Sequence, residues 1–567
     1  MSGWNTNGHT GRNGTNGTRG EEADVLIIGS GMSGSAMANR LCAAGFKVTM
    51  LEQGDWIHPT EYAHHHQEFD IERNRGWSYD PNVRQGPEDY PVTGFTTPYL
   101  MNAVGGSTLR YAAHWPRLKP IDFRKGTELG NMAGNIDWPI SYEELAPYYD
   151  INDAEVGISG VHGDPSYPDR PGAPRQQPVP PGKLGMKFAS GLDKLGWHWW
   201  PSDNGILTEA KDGRLPCNNC GNCLCGCPRG SLAGMDVALL PKALANGLDL
   251  RINARVSRVE AKGGKATGAE YIDRITGESH FVGAKIVVVA ASGIGTPRLL
   301  LMSEQKGHPD GLANANGLVG THLMHHSFAF VDCWFDDPIE GFKGAFGAPL
   351  ACQEFYHTDT SRGFVNGLMM QVGRSFGSAY TAMGTHTAAV APWGQDHRAF
   401  FDSHFAYHLL VFMFGEDLPI RENRVTLDRS VTDSSGLPAA HVEFNVSEND
   451  RRLCDFGVER ITEVADALGA RETNHTGVLS PPPGWHLMGT ARMGNTPEDS
   501  TVNRYNQAWE VPNLFIADGA AMTTGGAVNP TSTIGAMSTR AAEYIKQNFA
   551  EIVAQSTTPS NALAPAL

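Results

Sequence analysis

Three groups of residues in this sequence have the types and spacings to do chemistry. The run GSGMSG sets Gly29, Gly31 and Gly34 in the pattern G-x-G-x-x-G, and Glu52 stands 23 residues beyond Gly29. Such a unit wraps the pyrophosphate of a dinucleotide with backbone N–H groups and offers an acid to the ribose hydroxyls. The run CNNCGNCLCGCP at 217–228 sets Cys217, Cys220, Cys223 and Cys227 in C-x2-C-x2-C-x3-C-P. That is the spacing of ferredoxin clusters, in which four thiolates hold iron and sulfide. Lastly, His486 opens HLMGT within GWHLMGTARMG. A neutral imidazole is the side chain best suited to take a proton near neutral pH.

The flanking elements are those the glycine unit needs. DVLIIG (24–29) is a short apolar run fit for a buried parallel strand, and SAMANRLCAAG after the turn has helical character, closed by Gly45. FKVTML then makes a second strand that ends at Glu52. In this unit the first glycine permits the tight turn, the second lets backbone approach the pyrophosphate, and the third lets helix pack on strand. The unit does not by itself separate FAD from NAD. Further along, KIVVVAASGIGTPRLLLMS (285–303) reads as a buried strand, a glycine turn and a helix. Ser141 and Glu144 form a capping box, and Leu453, Phe456, Ile461, Val464 and Leu468 make one apolar stripe on a long helix.

Composition bounds the class. A chain of 567 residues, 40% apolar and 19% charged, is long enough for two or more globular lobes. Lys and Arg number 45 against 61 Asp and Glu, so the net charge of −16 argues against nucleic acid or an anionic membrane as main partner. No run approaches the roughly 18 apolar residues of a membrane span, and the Gly/Asn/Thr-rich start has no apolar segment of a secretory signal. Five of the nine cysteines crowd into 217–227, which suits a metal site better than a disulfide framework.

In order along the chain stand GSGMSG, VGGST, DWPISYEELAPYY, AASGIGTPRLLL, NGLVGTHLMHH, ENRVTLD, HLMGTARMG and NPTSTIGA. With that series the sequence resembles the glucose–methanol–choline (GMC) oxidoreductases from about residue 22 to 548, and within them the bacterial sugar and sugar-acid dehydrogenases. The resemblance implies non-oxygen-dependent oxidation of an alcohol group with FAD as cofactor. It implies an α/β, Rossmann-like FAD-binding lobe interleaved with an α+β substrate lobe on a mostly antiparallel sheet. His486 matches the family's catalytic His-x-x-Gly-Thr and would take the hydroxyl proton while hydride goes to flavin N5. Asn529, in Asn-Pro-Thr, matches the partner position, where an amide orients the substrate oxygen. Read on its own, Asn529 is also a good N-cap, with Pro530 at the first helical position and Thr531 following. That helix start would face the pyrimidine end of the flavin. Gly105, Gly106 and Ser107 would lie along the flavin, and Asp518 would face its pyrophosphate–ribityl region. Some relatives attach FAD through a His at the place where Arg110 stands here, so the FAD is expected to be non-covalent.

By resemblance the cysteine loop would hold a three-iron or four-iron cluster that passes electrons to a cytochrome c subunit, with a small subunit assisting export. Zinc, neighbouring disulfides and a vestigial loop are the alternatives, and location is open between the cytoplasm and a periplasm reached by co-export. An oxygen-using oxidase, a lyase with structural FAD and a flavin-binding protein without turnover are the competing functions. Should His486 not be the base, His114 and His325 come next. The expected division is a disordered tail at 1–21, an FAD-binding domain from 22–165, 228–325 and 484–550, a substrate domain from 166–227 and 326–483, and a flexible end at 551–567. Residues 367–386 are a candidate pocket lining. The substrate is a small alcohol, sugar or sugar acid.

Overall fold

Alternating apolar runs and glycine turns resolve into three sheets among the described residues. The computed structural model describes residues 22–59, 62, 91–94, 100–130, 132–169, 172–221, 223–347, 349–375, 377–384, 391–480 and 484–555. The expected tail at 1–21 lies outside them.

The first sheet has seven strands. β1 (Ala23–Ile28) lies at its centre, parallel to β2 (Val48–Leu51) on one side and β8 (Ser279–Val289) on the other. β5 (Asp249–Arg251) extends it beyond β2, and β16 (Leu514–Ile516) pairs with β8, both parallel. β6 (Ala254–Lys262) and β7 (Lys265–Asp273) continue from β8 as an antiparallel excursion. The parallel core reads as unbroken apolar runs because both of its faces are buried. The helix Met32–Ala43 and the last helix, Thr531–Ala554, pack on one another there. That last helix runs into the stretch expected to be a flexible end.

The second sheet has six strands in the order β15 (Glu472–His475), β9 (Ser327–Trp334), β12 (His408–Gly415), β11 (Leu368–Gly373), β10 (Leu350–Cys352) and β4 (Trp199–Pro201). All its pairings are antiparallel. A small third sheet joins β3 (Val92–Gly94) to the hairpin β13 (Arg424–Thr432) and β14 (Pro438–Glu443). The expected fold class, a Rossmann-like α/β part with an antiparallel α+β part, is the one observed.

Both faces of the antiparallel sheet are buried, but against different things. Val331, Met370, Val372, Val411 and Met413 point to the helices Gly182–Leu195 and Glu448–Leu468. The stripe on that second helix does what its 3.6-residue spacing predicts: Leu453, Ile461, Val464 and Leu468 are buried, with Phe456 packed beside them. Ser447 starts this helix and Ser141 starts Tyr142–Val156, each through a capping box. The opposite face carries two cross-strand rows. One is Phe328–Phe414–Met369; the other is Phe330–Phe412–Gln371–Ala351–Trp200. These rows form one wall of the site described next.

Candidate active site

The glycine turn is shaped by contacts that admit no side chain. Gly29 has φ +103, and a Cβ there would stand 2.3 Å from the Ala290 carbonyl oxygen. A Cβ on Gly34 would stand 1.9 Å from the Gly29 carbonyl oxygen, so the helix sits directly on the turn. Gly31 instead faces open space. The second turn lies against the first: the Gly105 N–H donates to Ser30 Oγ at 3.1 Å, and Ser30 Oγ donates to Glu52 at 2.6 Å. Glu52 also accepts the N–H groups of Ser30 and Gly54. It is buried, and burial pushes its carboxyl pKa up despite those donors.

Gly29, Gly31, Glu52, Gly106 and Ser107 line one cavity. Two further polar atoms on its wall, Asn102 Nδ2 and Ser292 Oγ, are buried without a hydrogen-bond partner among the described residues. An open floor at Gly31 and orphaned donors on the wall are what a bound dinucleotide would satisfy. Gly34, Gly105 and Asp518 stand behind this lining. Asp518 accepts from the Ser292 N–H at 2.7 Å, from Thr296 Oγ1 at 2.6 Å and from the Ala520 N–H at 2.9 Å. It thereby ties the end of β16 to the start of the helix Ser292–Met302.

Asn529 departs from its expected capping role. The last helix begins at Thr531, with Pro530 rather than Asn529 at the cap position. The Asn529 side chain turns away from the helix, and its Nδ2 lies 3.3 Å from His486 Nε2. The protons in this contact follow from a chain of hydrogen bonds. The Gly526 carbonyl only accepts, so His326 Nε2, 2.6 Å away, carries a proton and donates to it. Burial holds the His326 pKa down to about 4, so its ring is neutral and its Nδ1 is a bare acceptor. His486 Nδ1, 2.8 Å from that atom, must then be the donor. His486 Nε2 is left with its lone pair, and Asn529 Nδ2 donates to it. Asn529 Oδ1 in turn accepts from Gln371 Nε2 at 3.2 Å.

The rings of Phe328 and Phe414, each with its centroid 5.5 Å from that of His486, hold the imidazole against the aromatic rows of the sheet. Burial, followed by the neighbouring His326, His114 and His325, lowers the His486 pKa well below the usual imidazole value. His114 and His325 are also buried, and their pKa values are pushed down to about 3. Neither His325 ring nitrogen has a hydrogen-bond partner among the described residues. The structure thus joins His486 and Asn529, and it adds two residues that the sequence did not single out, His326 and Gln371.

The loop that carries Gly526 is anchored from below. The Gly526 N–H donates to Glu416 Oε1 at 3.0 Å, and Glu416 is ion-paired with the buried Lys125 at 2.6 Å. Gln371, in the middle of one of the two cross-strand rows, also lines a separate cavity of about 490 Å³. Two polar pairs border that cavity, Arg175 with Asp203 at 2.7 Å and His198 with Asp164 at 2.9 Å. Of the candidate pocket lining at 367–386, Met369 and Gln371 border it; Phe376, Thr385 and His386 lie outside the described residues.

The cysteine loop shows no assembled metal site among the described residues. Among the described residues no group of three or more His, Cys, Asp or Glu side chains is arranged to hold a metal ion. The thiols of the loop differ in exposure and in hydrogen bonding. Cys220 is exposed, while Cys223 is buried and accepts the Phe346 N–H at 3.5 Å. Cys227 accepts from the Leu232 N–H at 3.5 Å, and Cys217 from the Asn219 N–H at 3.3 Å. Cys223 packs with Ala113, Val179 and Ile206, and Cys217 and Cys227 lie against the same cluster. There they serve as small apolar side chains. Burial, followed by the neighbouring Cys227, Cys217 and Cys220, raises the Cys223 thiol pKa, so the four remain neighbours in the loop. Arg110, in the second glycine turn, donates from Nε to the Leu224 carbonyl at 2.9 Å and so braces this loop.

Comparison with known proteins places these features. Family models described as GMC oxidoreductase match residues 187–328 and 419–538, and a model of an NAD(P)-binding Rossmann-like domain matches 27–85. The chain is 64% identical to the 2-methyl-1,2-propanediol dehydrogenase of Mycolicibacterium austroafricanum, over 96% of this chain and 99% of that one. It is 29% identical to the fructose dehydrogenase large subunit of Gluconobacter japonicus, over 92% and 97%. Among solved structures, pyridoxine 4-oxidase from Mesorbium loti shares the fold, with a TM-score of 0.64 at 17% identity, over 93% of this chain and 99% of that one.

Proposed function

The chain belongs to the GMC oxidoreductases and is an FAD-dependent alcohol dehydrogenase, and we propose that it oxidises a hydroxyl group of a small 1,2-diol with His486 as the base. The observation that carries this reading is the order of protons from Gly526 to Asn529, which leaves His486 Nε2 as a bare acceptor.

In this reading His486 Nε2 takes the hydroxyl proton of the substrate, and Asn529 Nδ2 donates to the same oxygen and fixes it. The low pKa of His486 keeps the imidazole neutral and ready to accept. The aromatic rows of the antiparallel sheet keep water from the reacting carbon. Gly29, Gly31, Glu52, Gly105, Gly106, Ser107 and Asp518 would hold FAD, with Pro530 and Thr531 at the flavin end. FAD bound there supplies the two-electron acceptor for the hydride that the carbinol carbon gives up. Arg110 offers no imidazole for a covalent link and is engaged with Leu224. Acid precipitation is therefore expected to release all of the flavin, and colour retained on the denatured chain would refute non-covalent binding.

The acceptor in this proposal is an electron carrier rather than oxygen. Support comes from the two dehydrogenases that resemble the chain along nearly its whole length. One of these is named as a large subunit, which supports a partner subunit, such as a cytochrome c, as the carrier. No electron step is routed through the cysteine loop. The holoenzyme, mixed without oxygen with 2-methyl-1,2-propanediol, is expected to lose its flavin colour. A quinone-like dye should then restore the colour faster than air does. An unbleached flavin would overturn the substrate; faster reoxidation by air would make the enzyme an oxidase.

A further inference from the structure

Gln371 stands out on its strand. It lies within LMMQVG, where every residue is buried, and it is itself only 1% exposed. It is the one polar member of a row whose neighbours across the sheet are Phe330, Phe412, Ala351 and Trp200. Burying a carboxamide among such neighbours is costly unless both of its ends are satisfied. One end is. The proton order derived above makes Asn529 Oδ1 an acceptor, so the group facing it is the Gln371 N–H. The other end is then the carbonyl oxygen, and Gln371 Oε1 is buried with no hydrogen-bond partner among the described residues. Gln371 also borders the cavity of about 490 Å³, so this residue stands between that cavity and the catalytic pair.

We propose that Gln371 Oε1 is the subsite for a second hydroxyl of the substrate, adjacent to the one that loses its proton to His486. The site then selects neutral vicinal diols and polyols over simple alcohols. The inference rests on the reading of His486 and Asn529 given above. The reacting hydroxyl lies between His486 Nε2 and Asn529 Nδ2. Asn529 is also the group that Gln371 holds, so the next acceptor beyond it is Oε1. A vicinal hydroxyl donates there and satisfies the orphaned oxygen. A monoalcohol leaves that oxygen buried and unpaired. Sites built to bind a substrate hydroxyl discriminate for this reason against analogues that lack it. The hydrogen-bonded pairs beside the cavity, Arg175 with Asp203 and His198 with Asp164, suit a neutral polar ligand.

The test compares 2-methyl-1,2-propanediol with 2-methylpropan-1-ol, which keeps the primary hydroxyl and lacks the second one. In the holoenzyme, kcat/KM is expected to favour the diol by at least about tenfold, the worth of one hydrogen bond of ordinary strength. In Gln371→Leu and in the nearly isosteric Gln371→Met, that preference is expected to collapse towards unity. Both substrates also lose rate there, because Asn529 loses a partner. Equal kcat/KM for the two substrates in the unaltered enzyme would overturn the proposal, and this arm does not depend on either variant folding. A variant that binds FAD and slows both substrates by the same factor would also overturn it, by reducing Gln371 to a support for Asn529. Failure of the underlying reading looks different, since neither substrate would then bleach the flavin of the unaltered enzyme.

Discussion

Replacing His486 with Ala is expected to cut turnover by at least about a hundredfold, the usual loss when a general base is removed, while FAD remains bound. Flavin should stay because, among the described residues, the hydrogen bonds of His486 run to His326 and Asn529 and not to the glycine turns. A pH profile of the unaltered enzyme adds a second check. The base must be neutral to accept a proton, and its pKa lies well below the ordinary imidazole value of 6.5. Activity is therefore expected to hold steady as pH falls through 6.5 and to decline only as it approaches that lower value. An acid limb at or above 6.5 would contradict this environment. A His486→Ala enzyme with near-normal turnover would move the base to His114 or His325, whose rings are buried nearby.

Parts of this site are legible in sequence because their causes are local. Gly29 has to adopt a backbone conformation that a side chain resists, and Gly34 has to let a helix touch a turn. Both needs are written within a few residues, and the strand, helix and acid around them follow the spacing that the function demands. The capping boxes at Ser141 and Ser447 are local in the same sense. Asn529 shows where local reasoning misleads. Its type and its place before Pro530 suit a cap, but the side chain has a stronger claim from His486, 43 residues earlier in the chain. The cysteine loop is a different case. Spacing keeps Cys217, Cys220, Cys223 and Cys227 neighbours, while an apolar cluster around Ala113, Val179 and Ile206 takes in Cys223 and packs against Cys217 and Cys227. His326 could not be picked out, since HLMHH offers three histidines and only a carbonyl 200 residues away distinguishes one of them. Gln371 did leave a signal, as a lone amide inside an apolar strand.

The histidine pair leads to the second large effect. His326 touches His486, not the substrate, so its part is to position. It fixes which nitrogen of His486 carries the proton, and its own ring is fixed by the Gly526 carbonyl. Gly526 is held in turn by Glu416, whose charge is balanced by the buried Lys125. Such a pair is costly to bury and adds little net stability; what it secures here is the position of one carbonyl. In His326→Ala the Nδ1 proton of His486 loses its acceptor, and the ring can place its proton on Nε2 instead. That tautomer cannot take a proton from the substrate. Turnover is expected to fall about tenfold to a hundredfold, within the range by which general-base catalysis contributes. Two readouts separate this from simple loss of packing. Removing His326 removes a neighbour that lowers the His486 pKa, so the acid limb of the pH profile should move up towards 6.5. His326→Asn, whose Oδ1 can accept the Nδ1 proton and whose Nδ2 can donate to Gly526, should recover part of the lost rate. An Ala variant with an unmoved acid limb, or an Asn variant no better than Ala, would show that His326 only fills space.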